Sequence, residues 1–373
     1  MCRSAPFGIS HRNWLSRNGS SAIRRSSRAV PRSSAAAGAA ITSAATTMAS
    51  QATRPTAATL TDAISGAPLR AGFRLHSRAM EASTGGDATP SLSALGVSGR
   101  TGLHVLADAL GVRWIAVGDG ACELRLAESP LLSETRESVL AISVAADVCG
   151  CNAARSAVAV GARISTTGLS LSLLREPEPG ELTAEGSVHG LGKEDGGRGR
   201  PFASAVRIAD CAGPLAIGLV TGRVGHGERL PPLPWEDGAG AARRRTPGPE
   251  VVAALRRVEE APEPRTRTML TAERVDGGAE FELAIVGRPL LHNRVGHLQG
   301  GVAPAVADLA ARDLLRDRGR PVLRALQWSF RGPVVEAERL RFEVGAGERS
   351  AHVTVSATEG GRLRGAGILE YGT

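Results

Sequence analysis

The sequence predicts an α+β protein made of two copies of one unit: a strand, a loop, a long helix and four further strands. Three observations carry this. Residues 300–315 place Val302, Ala305, Val306, Leu309, Ala310 and Leu314 at the spacing of one helical face, and residues 138–155 do the same with Ala141, Val144, Ala145 and Val148. Each helix is followed by four short strand-like stretches bounded by Gly and Pro. The order then repeats: Pro130-Leu131-Leu132 corresponds to Pro289-Leu290-Leu291, and Leu173-Leu174-Arg175-Glu176-Pro177 to Ser329-Phe330-Arg331-Gly332-Pro333. A helix followed by an antiparallel sheet gives that sheet the cover one of its faces needs. Two such units in one chain can pair as a pseudo-dimer with two-fold-related interfaces.

Residues 1–95 are expected to be a disordered extension, dispensable for folding, because they offer few apolar anchors. The first sixty residues hold eight arginines and no acid or lysine. That composition matches an organelle transit peptide. Two other readings stay open: Arg24-Arg25 before the weakly apolar 35–47 stretch loosely resembles a twin-arginine signal, and Met48 or Met80 are alternative starts. The chain has 45 basic and 37 acidic residues, a net charge of +8, and the extension carries all of it. The balanced remainder gives no reason to propose nucleic-acid binding. No run of eighteen apolar residues occurs, so no membrane span is expected. The cysteines, Cys2, Cys122, Cys149, Cys151 and Cys211, are odd in number and lack CxxC spacing, which argues for reduced thiols over disulfides or zinc.

The first unit is expected within 96–224. Val105 to Val112 reads as a short helix running into a turn, Cys122 to Leu126 alternates like a strand, and after the helix come strand candidates at 166–175, 181–189, 202–210 and 214–222. Residues 225–265 contain seven prolines and Arg243-Arg244-Arg245, and read as a linker with a short helix at 250–259. The second unit, 266–373, places a strand at 278–285, the helix at 300–315, and strands at 322–330, 338–345, 350–358 and 363–371.

The chemistry concentrates in the stretch Leu291 to Asp308. A polar loop passes through Gly300-Gly301 into the helix, and Pro304 fits a first turn, where a missing N–H costs nothing. The free N–H groups and positive dipole end at such a start suit a developing oxyanion, and glycine lets a substrate carbonyl approach the backbone. His292 and His297 share the loop, but no third ligand or HExxH accompanies them, so no metal is expected.

Asn293, Gly296, Gln299-Gly300-Gly301 and Asp308 keep the spacing of a motif: Asn, Gly three on, His-Gly-Gly, then Asp seven past the last Gly. On these residues the chain resembles the hotdog-fold acyl-CoA thioesterases of the PaaI and 4-hydroxybenzoyl-CoA type, with Gln299 in place of the usual His. The resemblance covers roughly 100–224 and 268–373. It implies two tandem hotdog domains, each a long central helix wrapped by an antiparallel sheet. It also implies a site between two units, one offering the glycine N–H and the Asn, the other a helix carboxylate and a strand hydroxyl. In the first unit Ala141-Ile142 stand where the glycine turn should be, Asp147 keeps the helix acid, and Thr167 lies ten residues before Pro177. The implied composite site is therefore Asn293, Gln299 and Gly300 with Asp147 and Thr167. The mirror site would hold Asp308, with Leu323 at the strand position and no oxyanion turn.

The implied activity is hydrolysis of an acyl-CoA to free acid and CoA, with Asp147 as base or nucleophile and acyl-CoA as the partner. Hydrolysis needs only water, so no cofactor is implied. Arg175 or Arg331 is a candidate for a CoA phosphate. Two other readings compete: a non-catalytic acyl-CoA-binding or structural protein, and a hotdog dehydratase or hydratase, which Gln299 disfavours. The expected location is the cytoplasm, or an organelle matrix if 1–60 is a transit peptide, and a homodimer of such chains stays open.

Overall fold

Two long helices organise the chain. The computed structural model describes residues 105–372 apart from 128, 130, 194–198, 226–232, 234–248, 286–287, 294–295 and 336–337, all within the unit Pro68–Thr373. The extension 1–95, the Arg243-Arg244-Arg245 run and Arg294 of the motif loop lie outside the described residues. In chain order the elements are α1 (Val105–Ala109), β1 (Val112–Gly118), β2 (Ala121–Leu126), α2 (Leu140–Ser156), β3 (Arg163–Leu173), β4 (Leu182–Leu191), β5 (Arg200–Asp210) and β6 (Gly213–Gly225). They continue with α3 (Pro249–Glu259), α4 (Arg265–Leu270), β7 (Glu273–Val275), β8 (Glu280–Ala284), α5 (Val302–Leu315), β9 (Val322–Phe330), β10 (Arg339–Ala346), β11 (Ser350–Ala357) and β12 (Leu363–Gly372).

The strands form one large antiparallel sheet of twelve, in the order β1-β2-β4-β5-β6-β3-β9-β12-β11-β10-β8-β7. Read outward from the central β3–β9 pair, both arms have the same sequence of elements: β3-β6-β5-β4-β2-β1 on one side and β9-β12-β11-β10-β8-β7 on the other. The arms are stitched together by antiparallel pairing from Gly168 opposite Ser329 to Ser172 opposite Ala325.

α2 is embraced by β2 to β6 and touches α5, while α5 lies against β9 and β10. The periodicity of α2 predicts one apolar face, but every residue from Leu140 to Arg155 except Cys151 is buried. The wrapping sheet removes the solvent side, so small residues serve where polar ones would be expected. Gly150 shows this: a Cβ there would come within 2.7 Å of Val220. Fully burying Leu140, Ile142, Val144 and Val148 favours this arrangement by about 1.5–3 kcal/mol each.

Two strands escape the sequence reading. Val112, read as the end of a helical turn, opens β1, and β7 was unassigned. Both belong to hairpins whose turns carry Asp-Gly at positive φ: Asp119 and Gly120 (48° and 80°), and Asp276 and Gly277 (46° and 68°). Asp-Gly is a strong hairpin signal because both residues tolerate the left-handed region. At the end of the proline-rich stretch, α3 packs Ala254, Leu255 and Val258 into the core. α4 follows, its first N–H groups, of Arg265 and Thr266, donating at 2.5 Å to the buried Glu134 carboxylate.

Candidate functional site

The loop before α5 is built to deliver Gln299 and Gly300. Gln299 N–H donates to Leu291 O (2.8 Å) and Leu298 N–H to Val334 O (2.9 Å), which ties the loop exit to its entry and to the segment before β10. Asn293 closes the tip. Its N–H donates to His297 O (2.6 Å), its Oδ1 accepts from His297 N–H (3.1 Å), and Gly296 sits at φ 76°. This is an Asx-type closure. Asn293 thus shapes the turn, its side-chain oxygen accepting from His297 N–H.

Across from this loop stands Asp147, in the middle of α2. Gln299 Nε2 donates to Asp147 Oδ2 at 2.6 Å. The carboxylate lies directly over Gly300: a Cβ there would be 2.7 Å from Oδ2 and 2.9 Å from Cγ and Oδ1. Gly301 is just as confined, its virtual Cβ 2.6 Å from the Val144 backbone nitrogen, and its carbonyl accepts from Ser143 Oγ at 2.9 Å. The two glycines let the start of α5 press against α2, and any other residue would push the carboxylate or the helix away. Asp147, Gln299 and Gly300 thus converge from opposite arms of the sheet.

The hydroxyl beside Asp147 belongs to Thr166, one residue from the expected Thr167. Thr166 Oγ1 donates to Asp147 Oδ1 at 2.5 Å. Thr167 Oγ1 meets Thr221 Oγ1 (3.4 Å) on the other face of the sheet. The cause is a β-bulge between Thr166 and Gly168 in the β3–β6 register. A bulge adds one residue and inverts the facing of everything beyond it. Counting back ten from Pro177 assumes unbroken alternation and lands on the wrong threonine. A fourth group escaped the sequence reading altogether: Cys151, one helical turn after Asp147, has its Sγ 3.7 Å from Asp147 Oδ1 and 3.3 Å from Thr166 Oγ1. The i, i+4 spacing was the available signal.

Burial raises the Asp147 carboxyl above the ordinary aspartate range, and the hydrogen bonds from Thr166 and Cys151 only partly oppose it. The Cys151 thiol is pushed well above its ordinary range by burial and by the neighbouring Asp147 charge, which keeps it a neutral thiol. The combination is a carboxylate held by neutral donors, next to a helix start with its backbone N–H groups. Such a site can activate water or a substrate proton and stabilise an oxyanion.

Asp308 sits elsewhere. It is fully buried on α5, and Arg312 Nε donates to both of its oxygens (2.9 and 3.0 Å). Tyr371 OH adds a bond of 3.0 Å to Oδ1. Burial favours a neutral Arg312, but the Asp308 charge outweighs it and holds the guanidinium above its usual value. Asp308 is therefore an ion-paired core residue, separate from the Asp147 cluster. Leu323 lies opposite Tyr371 in the β9–β12 register, and lines a cavity of about 30 Å³ with Arg312 and Ile142. Arg175 is likewise engaged, by Asp210 and by Gly213 O. Among the described residues no group of three or more His, Cys, Asp or Glu is placed to hold a metal ion, and no helix is long and apolar enough to cross a membrane.

No family model and no curated protein matches the chain. Among solved structures, the peroxisomal multifunctional enzyme type 2 of Drosophila melanogaster aligns at 16% identity and TM-score 0.38 over 68% of this chain. The alignment spans 48% of that enzyme, so this chain corresponds to about half its length. A 12:0-ACP thioesterase from Umbellularia californica aligns at 13% identity and TM-score 0.42, covering 68% of this chain and 94% of that one. An acyl-ACP thioesterase from Bacteroides thetaiotaomicron aligns at 11% identity and TM-score 0.40, covering 68% and 98%.

Proposed function

We propose that the chain is two tandem hotdog units, 96–224 and 266–373, paired as a pseudo-dimer, and that it hydrolyses an acyl-CoA thioester at one composite site. The architectural part is supported by the identical order of elements in the two arms and the β3–β9 seam between them. The catalytic part is carried by one observation: the Asp147 carboxylate of the first unit lies over Gly300 and receives the Gln299 amide of the second.

The chemistry follows from that placement. Asp147 takes a proton from a water as the water oxygen bonds to the thioester carbon. The carbonyl electrons move to oxygen, and the oxyanion faces the Gly300 N–H at the start of α5, an interaction that contributes about 3–4 kcal/mol where one such donor is removed. Collapse breaks the C–S bond, and the leaving thiolate takes the proton that Asp147 holds. A carboxyl raised by burial is a stronger base than an exposed one once ionised, and Thr166 and Gln299 fix its two oxygens in place.

The test is thiol release from a panel of acyl-CoA esters by the purified full chain and its Asp147→Asn variant. Release that depends on Asp147 supports the reading. Binding of acyl-CoA without release would convert it to a binding protein, and hydration of an enoyl thioester to a hydratase.

A further inference from the structure

Among the described residues Asp147 and Asp308 are buried helix aspartates, and they differ first in the residue one turn further on. Asp147 is followed by Cys151, Asp308 by Arg312. Cys151 contributes a neutral Sγ at 3.7 Å from Oδ1, and it also touches the Thr166 hydroxyl. Arg312 places its Nε on both oxygens of Asp308. The groups facing Asp147 are Cys151 on its own helix, Thr166 from β3, and Gln299 with Gly300 from the opposite arm. Arg155, one turn beyond Cys151, adds a positive field at that thiol. Those facing Asp308 are Arg312 on its own helix and Tyr371 from β12, with Glu137 acting on Arg312.

We infer that the residue four positions after each aspartate decides which carboxylate keeps its charge uncancelled: Cys151 is a positioning residue that holds Asp147 with a neutral group, and Arg312 pairs Asp308 with a full counter-charge. The inference rests on the proposed hydrolysis for its consequence, but not for its geometry. A side chain at this spacing reaches the aspartate along one helical face. At Asp308 the Arg312 Nε–H is shared between both carboxylate oxygens, so the positive charge sits directly against the negative one. A thiol is small, donates weakly to one oxygen and carries no charge, so Asp147 is held without a counter-charge. Cys151 also steadies the Thr166 hydroxyl that holds Oδ1. The sequence thus encodes the asymmetry twice: in Ala141-Ile142 of the first unit where the second has Gly300-Gly301, and in the arginine four positions after Asp308.

The experiment uses the full chain with Cys151→Ala, Cys151→Ser and Cys151→Arg, and Arg312→Met at the other aspartate. Three readouts are taken: the pH profile of acyl-CoA hydrolysis, the carboxyl titration of Asp147 by carbon NMR with labelled aspartate, and the denaturation midpoint. Cys151→Arg should lower kcat/KM by about a hundredfold or more and move the Asp147 titration to lower pH. Cys151→Ala, which removes a donor, should move the titration and the acid limb of the profile upward. Cys151→Ser, which keeps a donor, should recover most of what Cys151→Ala loses. Arg312→Met should lower the denaturation midpoint by removing the counter-charge of a buried carboxylate, without adding activity. Where Cys151→Arg fails to fold, the Ala and Ser pair and Arg312→Met carry the test. An Asp147 titration unmoved by the Cys151 changes, or an Arg312→Met variant as stable as the parent, would overturn the inference. A parent chain that shows those shifts but hydrolyses no thioester would overturn the functional reading and leave the positional one standing.

Discussion

Gly300→Ala is the sharpest probe of the composite site, because one methyl group falls on the atoms that define it. The added Cβ would lie 2.7 Å from Asp147 Oδ2 and 2.9 Å from Cγ and Oδ1. Ordinary contact requires the carboxylate to retreat by about 0.7 Å or more. It cannot do so freely, since Gln299 holds Oδ2 at 2.6 Å and Thr166 holds Oδ1 at 2.5 Å. Relief must therefore stretch a hydrogen bond to a charged group, worth about 1.5–3 kcal/mol, or strain the packing by about 1–3 kcal/mol. Against this, an alanine that fits its backbone gains about 0.4–1 kcal/mol from the unfolded chain. The net expectation is about 1–2 kcal/mol of lost stability, read by chemical denaturation. The activity should suffer more, because a displacement approaching 1 Å costs on the order of a hundredfold. Gly118→Ala, where a Cβ meets nothing within 4 Å, is the control. If Gly300→Ala matched the parent in both stability and thiol release, the carboxylate would not lie against the helix start, and the composite site would be wrong.

The two aspartates should separate stability from activity. Asp308→Asn strands Arg312 and should cost about 3–5 kcal/mol, measured by denaturation, while the folded fraction keeps its turnover. Asp147→Asn should lower kcat by about 10²–10⁴ with no loss of stability at neutral pH. The folded-state carboxyl is raised, so its stabilising contribution is present below the ordinary aspartate range and is lost as pH rises through the raised value. The Asn variant's advantage should therefore vanish in acid, as melting curves across pH would show. Thr166→Val should reduce kcat about tenfold or more through the lost bond to a charged group, whereas Thr167→Val should stay within about 0.5 kcal/mol in stability with turnover preserved; equal effects would place the bulge wrongly. Glu134→Gln weakens the cap on α4 and should cost about 1 kcal/mol, read as a shift in the denaturation midpoint.

What could be read before the fold was known was local in origin. The helices and the four strands after each follow from apolar spacing and Gly or Pro punctuation, which act within a few residues. The Asp119-Gly120 and Asp276-Gly277 turns were equally local and would have revealed β1 and β7. The Thr166 facing was not local. It depends on where β3 bulges against β6, and nothing in Thr166-Thr167-Gly168 alone selects which threonine turns inward. The closure of Asp308 by Tyr371 joins α5 to the last strand, and the bond from Gln299 to Asp147 joins opposite arms. Contacts between residues so far apart in sequence are set by sheet register, which a one-dimensional reading can supply only through a repeat.

The repeat itself explains why the two buried acids end differently. A carboxylate enclosed by a wrapping sheet must find compensation, because an isolated buried charge is too costly to keep. At Asp308 the compensation is a full counter-charge, Arg312, completed by Tyr371. That choice protects the core and cancels the charge of the acid. At Asp147 the compensation is three neutral donors, which satisfy its oxygens without cancelling its charge. The carboxyl stays raised, and the stability given up there is the same free energy that makes it a base. On the proposed reading one arm supplies rigidity and the other reactivity. They can differ only because a single chain encodes both, so that each copy of the unit is free to lose what the other retains.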